Sequence, residues 1–532
     1  MDAQLAERLR HRLILKLVAA ASVLAVATAG PRKEPDVRQW WTHVKALADD
    51  NMEGREAGTD GHRLAAAYVA SEFHRAGLEP CGDDGYFQKV PMRSRVLDEP
   101  ATSLKIGGQE VTLGQDALIS MRSRPPQSLS APLVFAGYGL RLPDYRYDDF
   151  AGTDVRGKVV VYLTGGPGGV PGAVLAHYQS SEQRLPLLRS LGAVGAIGIA
   201  SRPGDLPWDR IAANRKAPAM ELAEGDAAEF LSISLNRDRP LAASLFDGAP
   251  ISLAELSKMA VGGKRLRSFA LKPELEVRVR FTPGLVDSIN ICGKLSGSDR
   301  SLSREAIAVT AHLDHLGKRS RNGDNKDIIY NGAMDNASGV ATLIETALTL
   351  GKVRKRPRRP VLFVAVTAEE KGLLGSRWFA ERPPVPVVAG INMDMFLPLY
   401  PMRSVLGLGA EESTLGLRLQ AIAPSMGLAV QADPEPERNR FIRSDQYSFI
   451  REGIPALALK VGYEPRSKDA ETARRWQAER YHGVTDDVSQ PVDMDAAATF
   501  NELVRRLVED VANQRQRPQW YPQSFFGNPT SR

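Results

Sequence analysis

Three segments decide the fold: Ala306-Ile-Ala-Val-Thr-Ala311-His312-Leu-Asp314-His315, Val361-Leu-Phe-Val-Ala-Val366-Thr367-Ala368-Glu369-Glu370 and Val387-Val-Ala-Gly-Ile391-Asn392-Met-Asp394. Each opens as a short apolar run and closes in residues that bind metal ions. An apolar run without alternation, followed by a helical pattern, is a strand buried on both faces, as in parallel sheets covered by helices. Open sheets of this kind carry their chemistry at the carboxyl ends of the strands. His312, Asp314, Glu369, Glu370 and Asp394 are therefore expected along one edge.

Between the first two runs lies Tyr330-Asn-Gly-Ala-Met-Asp335-Asn-Ala-Ser-Gly339, leading into a helix with the apolar stripe Val340, Leu343, Ile344, Ala347 and Leu348. The helical spacing puts Asp335 at or just before the helix start, in the same edge region. A further pair, Tyr481-His482, comes much later.

Outward from this segment, a chain of 532 residues is too long for one ordinary core, so two folded units are expected. Hydrophobic residues make up 43% and charged residues 25%, which is globular, and a formal charge of +6 is too small to argue for nucleic acid. The basic run from Lys352 to Arg359 is expected to be a solvated loop. Residues 1–29 have the form of a cleaved signal peptide: Arg8, Arg10, Arg12 and Lys16 precede an apolar stretch that ends in Ala27-Thr28-Ala29. Export to the periplasm or the medium follows, with no membrane contact after cleavage. Cys81 and Cys292 could form one disulfide in such a compartment, but nothing in the sequence shows that they meet.

A helix from Gly61 to about Ala76, with Leu64, Tyr68, Val69 and Phe73 on one face, is expected to cover the core. From Ser123-Arg-Pro-Pro126 to about Gly263 the texture changes to short strands with frequent Gly and Pro, read as an inserted, mainly-β domain. The expected organisation is signal peptide 1–29, first part of the main domain 30–127, insertion 128–263, second part 264–513 and a tail 514–532. An amphipathic helix carrying Phe500, Leu503, Val504, Leu507, Val508 and Val511 should close the sheet.

Zinc takes imidazole nitrogen and carboxylate oxygen, and two zincs can share one carboxylate and one water. His312, Asp335 and Asp394 would hold one ion, and Asp335, Glu370 and His482 the other, with Asp335 shared. Asp314 is placed to accept the other ring N–H of His312 and fix its tautomer. Glu369 can face the water and act as general base. His315 is read as a non-ligand. Any one of these residues alone would be unremarkable; together their carboxylates would repel one another at one edge unless cations compensate.

The motifs A-H-L-D-H-L-G, N-G-A-M-D-N-A-S-G, T-A-E-E-K-G-L-L-G-S, N-M-D-M, R-S-D-Q-Y-S-F with G-I-P, and Y-H-G-V-T-D resemble the co-catalytic di-zinc aminopeptidase family, which includes glutamate carboxypeptidase II and, more distantly, glutaminyl cyclase. The resemblance runs from about Val37 to Asn513. It implies an α/β fold with a mixed, largely parallel sheet covered by helices on both faces, and it makes the insertion similar to a protease-associated domain. It implies two Zn2+ per chain on His312, Asp335, Glu370, Asp394 and His482, with Glu369 as catalytic base. It adds Tyr481 as donor to the developing oxyanion and places Asp314 beside a cis peptide. The implied reaction is removal of N-terminal residues from peptides by a metal-bridged hydroxide, and the implied partner is a peptide with a free N-terminus.

Three alternatives stand beside this reading. A glutaminyl cyclase needs only one zinc, whereas both His312 and Asp394 are present here. A carboxypeptidase or dipeptidase needs a basic pocket for substrate carboxylates, and the sequence offers Arg440 and Arg443 without a full arginine patch. A receptor-like binding protein would have lost the ligands that this chain keeps.

Overall fold

The computed structural model describes residues 37–528 apart from 203–206, 226–227, 320–326, 436–437 and 439; the expected signal peptide lies outside the described residues. Its larger sheet has the strand order Ala219–Leu222, Phe87–Leu97, Phe281–Leu295, Val361–Val366, Ala306–His312, Val387–Met393, Ala456–Val461, Ser404–Leu408, Ala429–Gln431, with Glu79–Pro80 paired outside this path to Phe281–Leu295. The four central strands, from Val361–Val366 to Ala456–Val461, run parallel. Antiparallel strands flank them on both sides. The fold is mixed α/β, as expected.

The absence of alternation in the central strands has a direct cause. Ile307, Val309, Val361 and Phe363 point into one apolar cluster, together with Val340, Leu343 and Ile344 of the helix Ser338–Gly351 and Phe500, Leu503 and Val504 of the helix Met494–Asn513. Ala306, Ala308, Leu362 and Val364 point the other way, against Phe379, Phe449 and Ile450. Both faces are covered, so period-two alternation along the strand carries no polar residues. The helix Met494–Asn513 starts where the Asp493 side chain accepts the N–H of Ala496 at 2.9 Å. Truncating one of its fully buried leucines would cost about 2–5 kcal/mol.

A second sheet has the order Gln109–Glu110, Ser103–Ile106, Phe269–Arg278, Ser128–Phe135, Val159–Leu163, Gly195–Ile199, Leu231–Leu235, Ala117–Ile119. Its four consecutive strands from Ser128–Phe135 to Leu231–Leu235 are parallel. Helices such as Gly172–Gln179, Ser181–Ser190 and Leu253–Val261 accompany them, so the unit is α/β in texture. The sheet also reaches beyond residues 128–263 on both sides, because Ser103–Ile106 and Phe269–Arg278 pair into it. Ala219–Leu222, from within that span, instead edges the larger sheet against Phe87–Leu97, burying Met220 and Leu222 with Val90, Met92 and Trp378.

Two local readings change. The helix Asp60–Arg75 buries His62, Ala65, Ala66, Val69 and Phe73, leaving Leu64 54% exposed. Arg359, expected in a solvated loop, is fully buried and donates to Glu305 from Nε (3.0 Å) and Nη2 (2.7 Å). The tail packs as far as it is described: Trp520 Nε1 donates to the Gly453 carbonyl at 2.9 Å, and Phe526 is buried against Phe441. Cys81 and Cys292 form a disulfide, brought together because Glu79–Pro80 pairs with Gly293 and Lys294.

Candidate metal centre

The parallel register sets the ends of the strands level. His312 pairs with Val366 and Thr310 with Asn392, so His312, the turn carrying Glu369 and Glu370, and Asp394 emerge together at the carboxyl edge. Asp335 enters from a π-helical turn, Ala333–Ala337, that precedes the helix Ser338–Gly351. The cis peptide of the site is Asp335–Asn336, in this turn and not beside Asp314.

Other side chains brace the turn. Asp486, fully buried, accepts the N–H of Met334 at Oδ1 (2.9 Å) and of Asp335 at Oδ2 (3.0 Å). Asn336 Nδ2 donates to the Met393 carbonyl at 2.9 Å, tying the Asp335 turn to the Asp394 strand. Arg55, also fully buried, donates to the carbonyls of Leu313, Asn331 and Gly332 at 2.9, 2.5 and 3.0 Å. These three were missed from the sequence. Asp486 closes the motif Y-H-G-V-T-D and Asn336 lies inside N-G-A-M-D-N-A-S-G, so motif membership could have found them; nothing local marks Arg55.

Two groups of ligating atoms result. His312 Nε2 lies 3.3 Å from Asp335 Oδ1 and 3.4 Å from Asp394 Oδ1. His482 Nε2 lies 3.4 Å from Asp335 Oδ2 and 3.2 Å from Glu370 Oε2. Tetrahedral zinc with bonds near 2.0–2.1 Å separates its ligands by about 3.3–3.4 Å, so these four distances fit the edges of two coordination tetrahedra that share Asp335. The donor set, imidazole nitrogen with buried carboxylate, suits that ion.

His315 also falls within ligand range of Asp335 and Glu370. Its distances are unequal, 2.8 Å from Nδ1 to Glu370 Oε1 and 3.9 Å to Asp335 Oδ2. The shorter is a hydrogen bond, so His315 supports Glu370 while His482 faces both carboxylates evenly.

Asp314 departs from its expected contact. His312 Nδ1 bonds the backbone carbonyl of Asp314 at 3.0 Å. The Asp314 carboxylate instead accepts the N–H of Glu369 at Oδ1 (3.0 Å) and of Glu370 at Oδ2 (3.3 Å), aiming both glutamates from below. Burial pushes its pKa up to about 7, with His312 opposing.

The remaining electrostatics follow from burial. Burial works against ionised Asp335, yet His315, His312 and His482 hold its pKa well below the ordinary aspartate value. Burial drives Glu369 the other way, well above the ordinary glutamate range; His312 opposes this, and Glu370, Asp394 and Asp445 add to the rise. Burial, reinforced by Asp335 and Glu370, raises the Tyr481 phenol well above its usual value, so it stays an O–H donor. Tyr481 stacks on His482 with ring centroids 3.9 Å apart and lines the same cavity as Glu369.

The carboxyl edge of the mixed sheet thus carries two histidine–carboxylate groups that share Asp335. Residues 290–508 match the model of peptidase family M28. The chain is 24% identical over 474 residues to the probable lipoprotein aminopeptidase LpqL of Mycobacterium tuberculosis, spanning 86% of this chain and 79% of that protein. Aminopeptidase NAALADL1 of Mus musculus is 40% identical over 146 residues, which are 26% of this chain and 18% of that protein. Among solved structures, an aminopeptidase from Aneurinibacillus sp. strain AM-1 is similar with a TM-score of 0.55 at 19% identity, covering 90% of this chain and 94% of that one; this likeness bears on the fold.

Proposed function

We propose that this chain is an exported zinc-dependent aminopeptidase that removes N-terminal residues from peptides. The observation that carries the reading is the Asp335 carboxylate, which faces His312 with one oxygen and His482 with the other. His312, Asp335 and Asp394 would hold one zinc, and Asp335, Glu370 and His482 a second. When bound, the ions would polarise the scissile carbonyl and lower the pKa of the attacking water towards ~7.

The chain's own groups supply the rest. Glu369 takes the proton of the attacking water at its carboxylate, holds it, and returns it to the leaving amine. The Tyr481 hydroxyl donates to the carbonyl oxygen as negative charge develops there. Asp394 and Glu369 border the place where a positively charged α-amine would sit. Asp314 fixes the backbone that carries Glu369 and Glu370.

Export is supported by the Arg-rich, apolar start of the sequence, by the Cys81–Cys292 disulfide, which suits an oxidising compartment, and by the likeness to a probable lipoprotein aminopeptidase. The second unit is proposed to act as a protease-associated domain shaping access: its Arg122 Nη2 and Arg210 Nη1 donate, each at 3.3 Å, to the carbonyls of Glu370 and Tyr481.

A matched peptide set tests the reaction. N-acetylation removes the charge and basicity of the amine and should sharply reduce kcat/KM, whereas C-terminal amidation should change it little. The reverse sensitivity would replace this reading with a carboxypeptidase.

A further inference from the structure

Glu370 and His482, which share one proposed zinc with Asp335, sit on turns whose own hydrogen bonds pass over a carbonyl. After Glu370, the N–H groups of Gly372 and Leu373 both bond the carbonyl of Glu369, at 2.8 and 3.0 Å, and that of Leu374 reaches back to Ala368 at 3.1 Å. After Tyr481, the N–H of Gly483 bonds the carbonyl of Arg480 at 2.8 Å. The carbonyls bypassed are those of Glu370 and Tyr481. The backbone of both turns is also unfavourable: Ala368 (φ 55°), Leu373 (φ 61°) and His482 (φ 53°) take the left-handed region without being glycine. Such residues persist where their surroundings hold them.

Donors for both carbonyls come from the second unit. Arg122 Nη2 reaches the Glu370 carbonyl and Arg210 Nη1 the Tyr481 carbonyl, each at 3.3 Å. Both arginines are tied into that unit. Arg122 follows the edge strand Ala117–Ile119, where the Ser120 N–H bonds the Ser232 carbonyl at 2.8 Å and Met121 is buried in the unit's apolar core. Arg210 lies on the short helix Trp208–Ala213; Trp208 Nε1 donates to the Gly114 carbonyl at 2.9 Å, and Arg215, just beyond, donates to Glu99. The ligands of the other group are braced from the larger unit instead. Lys460 donates to the Asp394 carbonyl, and His312 ends the central strand Ala306–His312.

We propose that Arg122 and Arg210 are positioning residues through which the second unit sets the affinity of the zinc position formed by Glu370 and His482, and not that of the position formed by His312 and Asp394. The proposal rests on the two-zinc reading above. A carbonyl bonded to a guanidinium holds its peptide plane, and the plane sets the direction in which the neighbouring side chain leaves the backbone. Glu370 is held by its own carbonyl, with the Asp314 carboxylate on its N–H at 3.3 Å, and His482 by the carbonyl of the residue before it. Ligands held ready lose less freedom when the ion binds. Without the arginines, the two turns can relax from their left-handed residues and carry the ligands apart.

Chelator competition on the full chain, with zinc itself as the probe, tests this. Arg122→Ala and Arg210→Ala should each weaken one of the two zincs by about 3–10-fold, and the double variant by about 10–100-fold, with the other zinc unchanged. Arg122→Lys and Arg210→Lys keep a donor and should recover part of the loss. In a His482→Ala background, which retains the other ion, adding Arg210→Ala should leave the affinity of that ion as it was. Equal weakening of both zincs, as a general loss of folding would give, overturns the proposal and leaves the two-zinc reading standing. So does an unchanged curve, or a lysine variant no better than alanine. A wild-type chain that binds only one zinc overturns both.

Discussion

His315 Nδ1 lies 2.8 Å from Glu370 Oε1, while the other oxygen of Glu370 faces His482 at 3.2 Å. The histidine next to Asp314 therefore holds the oxygen that the proposed zinc would leave free. His315→Leu keeps an apolar volume but leaves Oε1 unpaired and free to turn. Chelator competition should show one of the two zincs weakened by about 10–100-fold. A curve identical to wild type would remove His315 from the support of the site.

Asp335 serves both groups, so its loss should differ in kind from the loss of a terminal ligand. Asp335→Ala should bring zinc from about two ions per chain to about none, whereas Glu370→Ala or His482→Ala should leave about one. Metal analysis after dialysis checks this. An Asp335→Ala protein that kept one full equivalent would show that the carboxylate is not shared.

Glu369 borders the cavity without belonging to either histidine–carboxylate group, which separates chemistry from metal binding. Glu369→Gln should retain zinc and lose about 10²–10⁴-fold in kcat, because an amide neither takes nor returns the proton. Lost zinc, or retained activity, would reassign the residue.

His177 of the second unit bonds Tyr447 at 2.7 Å and is buried among aromatic rings; burial lowers its pKa to about 4. The unfolded chain therefore takes up this proton first, near the ordinary value of 6.5. Stability present above that pH is lost as the pH falls towards about 4. From about pH 7.5 to pH 5, wild type should lose on the order of 2 kcal/mol more than His177→Gln. Parallel acid-induced losses in denaturant titrations of the two proteins would show that His177 does not set this dependence.

The sequence by itself determined the parallel core and the residues that gather at the candidate metal centre. Both are local properties: a strand covered on two faces must be apolar throughout, as Ala306–Ala311 and Val361–Val366 are, and few residue types bind zinc. The helix Met494–Asn513 was equally legible, because its apolar stripe repeats at helical spacing. Only the tertiary structure decided what depends on contacts between distant segments. It paired Cys81 with Cys292, carried Ala219–Leu222 out of its own span to the edge of the larger sheet, and turned Leu64 to solvent. It exchanged the carboxylate of Asp314 for its carbonyl as the partner of His312, because the carboxylate is taken by the N–H groups of Glu369 and Glu370. It also brought Arg438, Arg440 and Arg443, from one loop region, and Lys460, from the strand Ala456–Val461, to line one cavity with Asp335 and Asp394. Charges spaced along a chain carry no record of the cavity they will face; that is set by packing, where the strands and loops must share one edge.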